Sequence, residues 1–450
     1  MCHPWIKCLP IWVLLMVADG SIVMPTRAPL FPHKPFVVVW NAPTEQCRLR
    51  YKVDLDLNIF NIITNPNETL SGSAVTIFYH TRLGYYPYFT DNGDPINGGV
   101  PQNQSIVKHL NKAKSDIERS IAMRKFHGLG VIDWENWRPQ WDRNWGHKDI
   151  YRNTSLELVR KRHPQWPKNA IRKAAKEEFE HAGKSFMNST LSLAENMRPN
   201  GLWGYYLYPD CYNYDYKTNT NAYTGKCPAI AASRNDLLLW LWKESTALYP
   251  SIYLEYMLKS SPNALKFVHY RVKEAMRIAS LAKKDYTLPV FVYSRPFYAY
   301  TFQALSEIDL VHTIGESAAL GAAGVILWGS MQYASTYENC ITVKKYVDGP
   351  LGHYIINVTS AAKLCSKVLC KKNGRCIRKN SGSPDYLHLH PQSFKIKFSK
   401  TKGEVSVVGE LKIKDQNTMK EKFMCQCYQG WTGKYCEIPS LKTGYKICCQ

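Results

Sequence analysis

The sequence has no apolar run long enough to cross a bilayer, which takes about 20 consecutive residues. The longest candidate, Leu9 to Val17 behind Lys7, is too short, and the terminal "SLKTGYKICCQ" lacks the apolar tail of a lipid-anchor signal. Metal-binding patterns are also missing. The 13 histidines include no His-x-x-x-His pair with a helical acid. No glycine-rich phosphate loop occurs, and "GESAALGAAG" (315–324) reads as close helix packing ahead of a strand. Acidic residues are scarce, 36 Asp+Glu against 58 Lys+Arg, for a net charge of +22. Together these absences argue against a transmembrane segment, a metal centre or any other cofactor, and they point to an anionic partner.

What is present is ordinary globular material. The 450 residues are 45% apolar and 21% charged, enough for one large domain and a small one. Lys7, the apolar stretch behind it and the small residues Ala18 and Gly20 predict a signal peptide over 1–20. Five N-x-[ST] sequons, at Asn67, Asn103, Asn153, Asn188 and Asn357, fit a secretory chain. Of 14 cysteines, Cys2 and Cys8 would leave with the signal, and the remaining even number suits disulfides. A secreted, extracellular protein is expected. From Ala361 onward, 18 Lys/Arg and 6 Asp/Glu give +12, so the first 360 residues carry only +10. For a secreted chain this argues for an acidic polysaccharide or cell surface rather than nucleic acid; a basic surface kept for solubility is the plain alternative.

Apolar runs rich in β-branched and aromatic residues recur at 35–41, 74–79, 129–135, 202–209, 251–257, 288–294 and 324–330. Near-continuous apolarity suits strands buried on both faces of a parallel sheet. Amphipathic stretches lie between them, at 105–122, 168–197, 233–248, 263–284 and 305–320. Strands alternating with helices predict an α/β fold, a (β/α) barrel in preference to an open sheet, over residues 21–360. In a barrel the active site belongs at the C-terminal strand ends. After Ala361 the text changes to "CSKVLCKKNGRC" and "CQCYQGWTGKYC". The Cys-x-Cys-x8-Cys ending with its glycine turns looks like the last half of an EGF-like module. The 361–450 module carries an insertion, where "SFKIKFS" and "EVSVVGELKIK" read as two strands of a hairpin.

Chemistry gathers at "GVIDWENW" (130–137), where Asp133 and Glu135 close an apolar run beside two tryptophans, Trp134 and Trp137. On a strand, i and i+2 share a face, roughly 7 Å apart along the backbone. Two carboxyls that close do not both ionise comfortably, so one should hold a proton near neutral pH. A proton-holding carboxyl in an apolar, tryptophan-lined cleft is what a general acid for glycosidic cleavage needs. The alternative is a solvated pair in a βα loop. "GLWGYYLYPDCYNYDY" (201–216) is unusually dense in tyrosine, and Tyr206, Tyr253, Tyr79 and Trp328 fall within or at the ends of predicted strands. Such rings offer stacking faces and hydroxyl donors to sugars; each taken alone reads equally as core.

Nearly the whole mature chain resembles the animal hyaluronidases, including secreted venom members and the hyaluronidase-4 type. The residues carrying the resemblance are "WNAPTEQC", "GVIDWENWRPQW", "GYYLYPDCYNYDY", "YTGKCP", "ALYPSIY", "GESAALGAAGVILWGS" and the terminal cysteine module. The resemblance implies a distorted (β/α) TIM-like barrel with Glu135 as acid/base and Asp133 positioning it through a shared proton. It implies that the substrate's N-acetyl oxygen, not a second carboxylate, attacks the anomeric carbon. Tyr206 and Tyr253 would orient the acetamido group, Trp328 and Tyr79 line the cleft, and Arg271 sit near the uronic acid. Implied disulfides are Cys47–Cys340, Cys211–Cys227, Cys365–Cys376, Cys370–Cys425 and Cys427–Cys436. Met331 stands where several relatives have a further tryptophan, and Cys448 and Cys449 have no counterpart.

The function expected is endo-hydrolysis of hyaluronan at N-acetylhexosaminide bonds by a monomer. The rival enzyme reading is a chondroitin or chondroitin sulfate hydrolase with the same mechanism. The rival of another class is a non-catalytic glycosaminoglycan-binding or adhesion protein.

Overall fold

The structure is a computed structural model that describes residues 23–399 and 404–440. The signal-peptide segment, with Cys2 and Cys8, and the terminal Cys448 and Cys449 lie outside the described residues.

Seven parallel strands form two arcs. In one, β1 (Val37–Asn41) lies between β2 (Ile62–Thr64) and β7 (Gly324–Trp328), and β7 also pairs with β6 (Phe291–Ser294). In the other, β4 (Leu129–Asp133) lies between β3 (Val75–Tyr79) and β5 (Leu202–Tyr205). Segment 248–251 joins the arcs through the parallel bridges Tyr206–Tyr249, Leu248–Val290 and Ser251–Tyr293. On the other side, the buried Asn65 replaces a ladder. Its Nδ2 donates to the Val75 carbonyl at 2.7 Å, and its Oδ1 accepts from Ala74 N and Val75 N at 3.0 and 3.1 Å. At Gly204 a Cβ would stand 2.3 Å from the Ala247 carbonyl, so only glycine lets β5 and the bridging segment approach this closely.

Helices alternate with these strands, among them α1 (Ile106–Ser120), α2 (Asp149–Arg162), the long α3 (Lys168–Met197) and α4 (Pro262–Ala282). A fifth, α5, runs through Glu307–Leu310, a π-turn Val311–Gly315 and Glu316–Ala319. No helix among the described residues is long and apolar enough to cross a membrane. The strand period divides the core in two. Val38, Trp40, Phe78 and Ile132 face the helices, whereas Val37, Val39, Val75, Ile77, Leu129, Val131, Phe291 and Ile326 fill the interior between the arcs.

Three sequence expectations are corrected. Run 251–257 is not a strand: only Ser251 and Glu255 make isolated bridges, and the strand-like contact lies upstream at 248–251. Stretch 233–248 is not one helix but two short ones, Ala229–Asp236 and Leu239–Glu244. The second hairpin run ends at Gly409, whose φ of 136° only glycine tolerates, and "KIK" enters the helix Ile413–Lys422.

Helix α6 (Gly352–Val368) crosses position 361, so the chain enters its cysteine-rich segment without a linker. There β8 (Gly374–Arg378) pairs antiparallel with β11 (Phe423–Cys427), and β9 (Phe394–Ser399) with β10 (Glu404–Gly409). Disulfides join Cys365 to Cys376, Cys370 to Cys425 and Cys427 to Cys436 here, and Cys47 to Cys340 and Cys211 to Cys227 earlier.

Candidate active site

The interior register predicts the site. Two residues past the last interior apolar side chain of each strand, at the carboxyl end, stand Tyr79 (after Ile77), Asp133 (after Val131), Arg295 (after Tyr293) and Trp328 (after Ile326). Tyr206 follows Leu202 and Gly204 in the same register, and Tyr253 stands beyond the bridging segment. Tyr79, Tyr206, Tyr253 and Trp328 all pack on the interior cluster. A cavity of about 1000 Å³ opens over Tyr206, Tyr253, Arg271, Arg295 and Trp328. A second, of about 650 Å³, opens over Tyr79, His80 and Asp91. Both lobes include Asp133, Glu135, His147, Lys148 and Trp328, so they form one trough with the acid pair at its waist.

Asp133 ends β4, and its Oδ1 is buried without a hydrogen-bond partner. Burial, then the charge of Glu135, holds its carboxyl well above the usual range, against the pull of Arg138. The pair therefore keeps a proton above the ordinary carboxylate range, and the Glu135 side chain is about half exposed (51%) to the trough. Arg138 holds the loop: Nη1 donates to the Glu135 carbonyl at 2.8 Å, and Nη2 stands 3.9 Å from Glu135 Oε2. Lys148 Nζ donates to the carbonyls of Glu135 and Asn136 at 2.5 and 2.9 Å, and burial brings its pKa down to about 8.

The two tryptophans of this stretch do not line the cleft. Trp134 and Trp137 are buried and pack on Tyr86 at centroid distances of 4.6 and 5.2 Å. Trp134 continues the helix-facing side of Ile132, Trp137 lies in the loop beyond β4, and both pack behind the acid pair. The ring facing the trough is Trp328, which stacks on Tyr253 at 6.0 Å and donates from Nε1 to Tyr79 Oη at 3.0 Å. Tyr206 lies 6.0 Å from Tyr253 and donates to Ser251 Oγ at 3.3 Å. Burial raises the hydroxyls of Tyr206 and Tyr253, and takes that of Tyr79 to about 12, so all three remain donors at neutral pH. In the tyrosine-rich stretch, Tyr212 and Tyr214 reach the cavity, whereas Tyr205, Tyr208 and Tyr216 are core.

Arg271 lines the same lobe but is sealed in. Its Nε donates to Asn213 Oδ1 and its Nη1 to the Ser251 carbonyl, each at 2.9 Å, and Asp210 lies 3.8 Å away. Tyr214 and Phe267 cover its guanidinium. Sequence reasoning missed Arg138, Lys148, Lys217 and Arg295; for Arg295 the signal was the alternation through Phe291 and Tyr293. Met331 is 67% exposed and contributes to neither lobe. Of the sequon asparagines, Asn67, Asn103 and Asn153 are exposed, and Asn188 and Asn357 half-buried. Asn357 Oδ1 accepts from Leu389 N at 2.7 Å.

The raised Asp133 carries a stability consequence. Above the ordinary carboxylate range, the folded state keeps a proton that the unfolded chain has released. Stability contributed by this group is thus full at low pH and lost as pH rises toward the folded value. Asp133→Asn removes that titration. Its Tm relative to wild type is expected to rise between pH 4 and pH 7, while kcat falls about 100-fold for want of a shared proton. Thermal melts at the two pH values check the first part, and a Tm difference independent of pH contradicts it.

A coupled carboxyl pair at parallel strand ends, faced by hydroxyl-bearing rings in an open trough, is the layout of a glycan-cleaving hydrolase. The family model described as hyaluronidase, a group of glycoside hydrolases, matches residues 25–440. The chain is 62% identical to a hyaluronidase of Echis ocellatus and 61% identical to hyaluronidase-4 of Cerastes cerastes, each over 99% of this chain and 100% of the relative. Crystalline bee venom hyaluronidase superposes with a TM-score of 0.64 at 34% identity, over 71% of this chain and 99% of that one. Its complex with a hyaluronic acid tetramer gives 0.65, also at 34%, over 71% and 98%. The chain belongs to the hyaluronidase family.

Proposed function

We propose that the protein is a secreted endo-hydrolase that cuts hyaluronan at N-acetylhexosaminide bonds with retention of configuration. The observation carrying this reading is the Asp133–Glu135 pair at the waist of a trough that continues on both sides, as cleavage within a polymer requires. The bee venom relative solved with a hyaluronic acid tetramer supports the choice of polymer.

Glu135 gives a proton, shared with Asp133, to the glycosidic oxygen as the bond to the anomeric carbon breaks. The substrate's acetamido oxygen attacks that carbon from the opposite face, and water, deprotonated by Glu135, then opens the cyclic intermediate. The remaining carboxylates of the larger lobe are occupied. Asp210 is held by Arg143 at 2.9 Å and Glu255 by Lys217 at 2.7 Å, which leaves the nucleophile to the substrate. Tyr206 and Tyr253 hold the acetamido group against Trp328. The two strand arcs act as a distorted (β/α) barrel over 21–360, and 361–450 is an EGF-like module with a hairpin insertion. The protein works as a monomer without a cofactor.

Purified protein incubated with hyaluronan, chondroitin and chondroitin sulfate across pH 3.5 to 7.5 tests this by fragment size. Rapid shortening of hyaluronan is expected. Polymers left intact at every pH would leave only a binding role, and cleavage of chondroitins alone would reassign the substrate.

A further inference from the structure

Two of the lysine and arginine side chains in the cleft, Lys148 and Arg295, have no carboxylate partner among the described residues. Arg138 faces Glu135, Arg271 faces Asp210, Lys217 meets Glu255, and Lys148 is spent on two carbonyls. Arg295 forms no ion pair with any described residue. It is only 9% exposed, its Nε is buried without a hydrogen-bond partner, and its polar neighbour is the neutral Tyr333 hydroxyl, not an anion. The placement is fixed by β6, because Arg295 follows Phe291 and Tyr293 in the inward register at the carboxyl end.

Its guanidinium lies 5.1 Å from the centroid of Trp328 and 5.8 Å from that of Tyr253, the two rings stacked on each other. Ring faces offset part of the cost of desolvating a cation, but a buried guanidinium without an anion remains a net expense to folding. A ligand carboxylate arriving in the cleft would return it. The planar fork suits a carboxylate bidentately. Arg271 is committed through Nε and Nη1 to Asn213 and Ser251, with Asp210 3.8 Å away, and only its buried Nη2 is unpartnered.

We infer that Arg295 receives a uronate carboxylate of the bound polymer, from the sugar joined to the N-acetylhexosamine seated against Tyr253 and Trp328. The inference rests on the proposed hydrolysis of hyaluronan and names a specificity residue within it. It makes Arg295 the group that separates uronate-containing polymers from neutral N-acetylhexosamine chains.

The test compares hyaluronan oligosaccharides of one length with free or methyl-esterified carboxylates, using wild type, Arg295→Gln and Arg295→Lys. Wild type is expected to prefer the free acid by roughly 10- to 100-fold in kcat/KM, chiefly through KM. In Arg295→Gln that preference should fall by about tenfold, with kcat/KM on the ester changed less than about twofold. Arg295→Lys should keep an intermediate preference, and it supplies the reading if the glutamine variant does not fold. An equal loss on both substrates, or no loss on the acid, overturns the role of Arg295. A wild type that cuts neither form overturns the hydrolase reading beneath it.

Discussion

Glu135→Gln is expected to lower kcat on hyaluronan by about 1000-fold or more, with KM changed less than about threefold. The glutamine keeps the size and most of the polar contacts of a side chain half exposed to the trough, so polymer binding should survive. It removes the group that delivers a proton to the leaving oxygen and later takes one from water. Neither neighbour can substitute. Asp133 is the inner, buried partner, and Lys148 is directed at backbone carbonyls. The Asp133 proton also loses its second carboxyl, which the variant reports independently: the Asp133 carboxyl should titrate lower, because burial alone still raises it but the charge of Glu135 no longer does. Steady-state kinetics on a defined oligosaccharide check the first effect. A variant retaining a tenth of wild-type kcat would place the acid elsewhere.

Arg378→Met is expected to destabilise the protein by about 3–5 kcal/mol, the largest stability effect anticipated for a single substitution outside the cleft. Glu316, on α5, and Arg378, on β8, are each only 1% exposed in their side chains. They pair through two hydrogen bonds of 2.9 and 2.6 Å, and His269 Nδ1 lies 2.7 Å from the same carboxylate. Removing the arginine strands a buried carboxylate beside one imidazole. Because α5 packs among the helices around the strands and β8 belongs to the disulfide-rich segment, the loss falls on the contact between the two. Thermal unfolding should show it as a lower Tm, and Glu316→Leu combined with Arg378→Met should recover much of the loss, since an apolar pair leaves no charge unanswered. An unchanged Tm in the single variant would mean that the pair is not a stabilising contact.

The interior between the two strand arcs was legible because its strands are apolar on both faces; runs at 37–41, 75–79, 129–133 and 324–328 stand out. Strand β2, only Ile62–Thr64, was not, and it is completed by a side chain, Asn65, rather than a ladder. Tyr79, Asp133, Tyr206 and Trp328 stand out because they continue the interior alternation at the strand ends, whereas Glu135 and Tyr253 lie in loops beyond it. The alternation puts Trp134 with Ile132 on the helix side, away from the trough, whereas Trp137 lies in the loop beyond the last paired residue and has no period to obey. Glu316 was hidden inside a small-residue stretch that reads as packing, and its partner lies 62 residues on. Ion pairs between distant elements leave no local pattern. Arg295 was hidden for a related reason: what distinguishes it is the lack of a carboxylate partner among the described residues, and partners are set by the fold.

The claim on which the account turns is that the substrate supplies its own nucleophile beside a single-proton carboxyl pair. Oligosaccharides carrying N-acetyl, N-fluoroacetyl, N-difluoroacetyl and N-trifluoroacetyl groups at the cleaved hexosamine test it most directly. Each fluorine withdraws electrons from the amide oxygen, so kcat should fall stepwise along the series, while KM moves little. A kcat that stays level across all four substrates would show that the acetamido oxygen does not attack, and would contradict the mechanism.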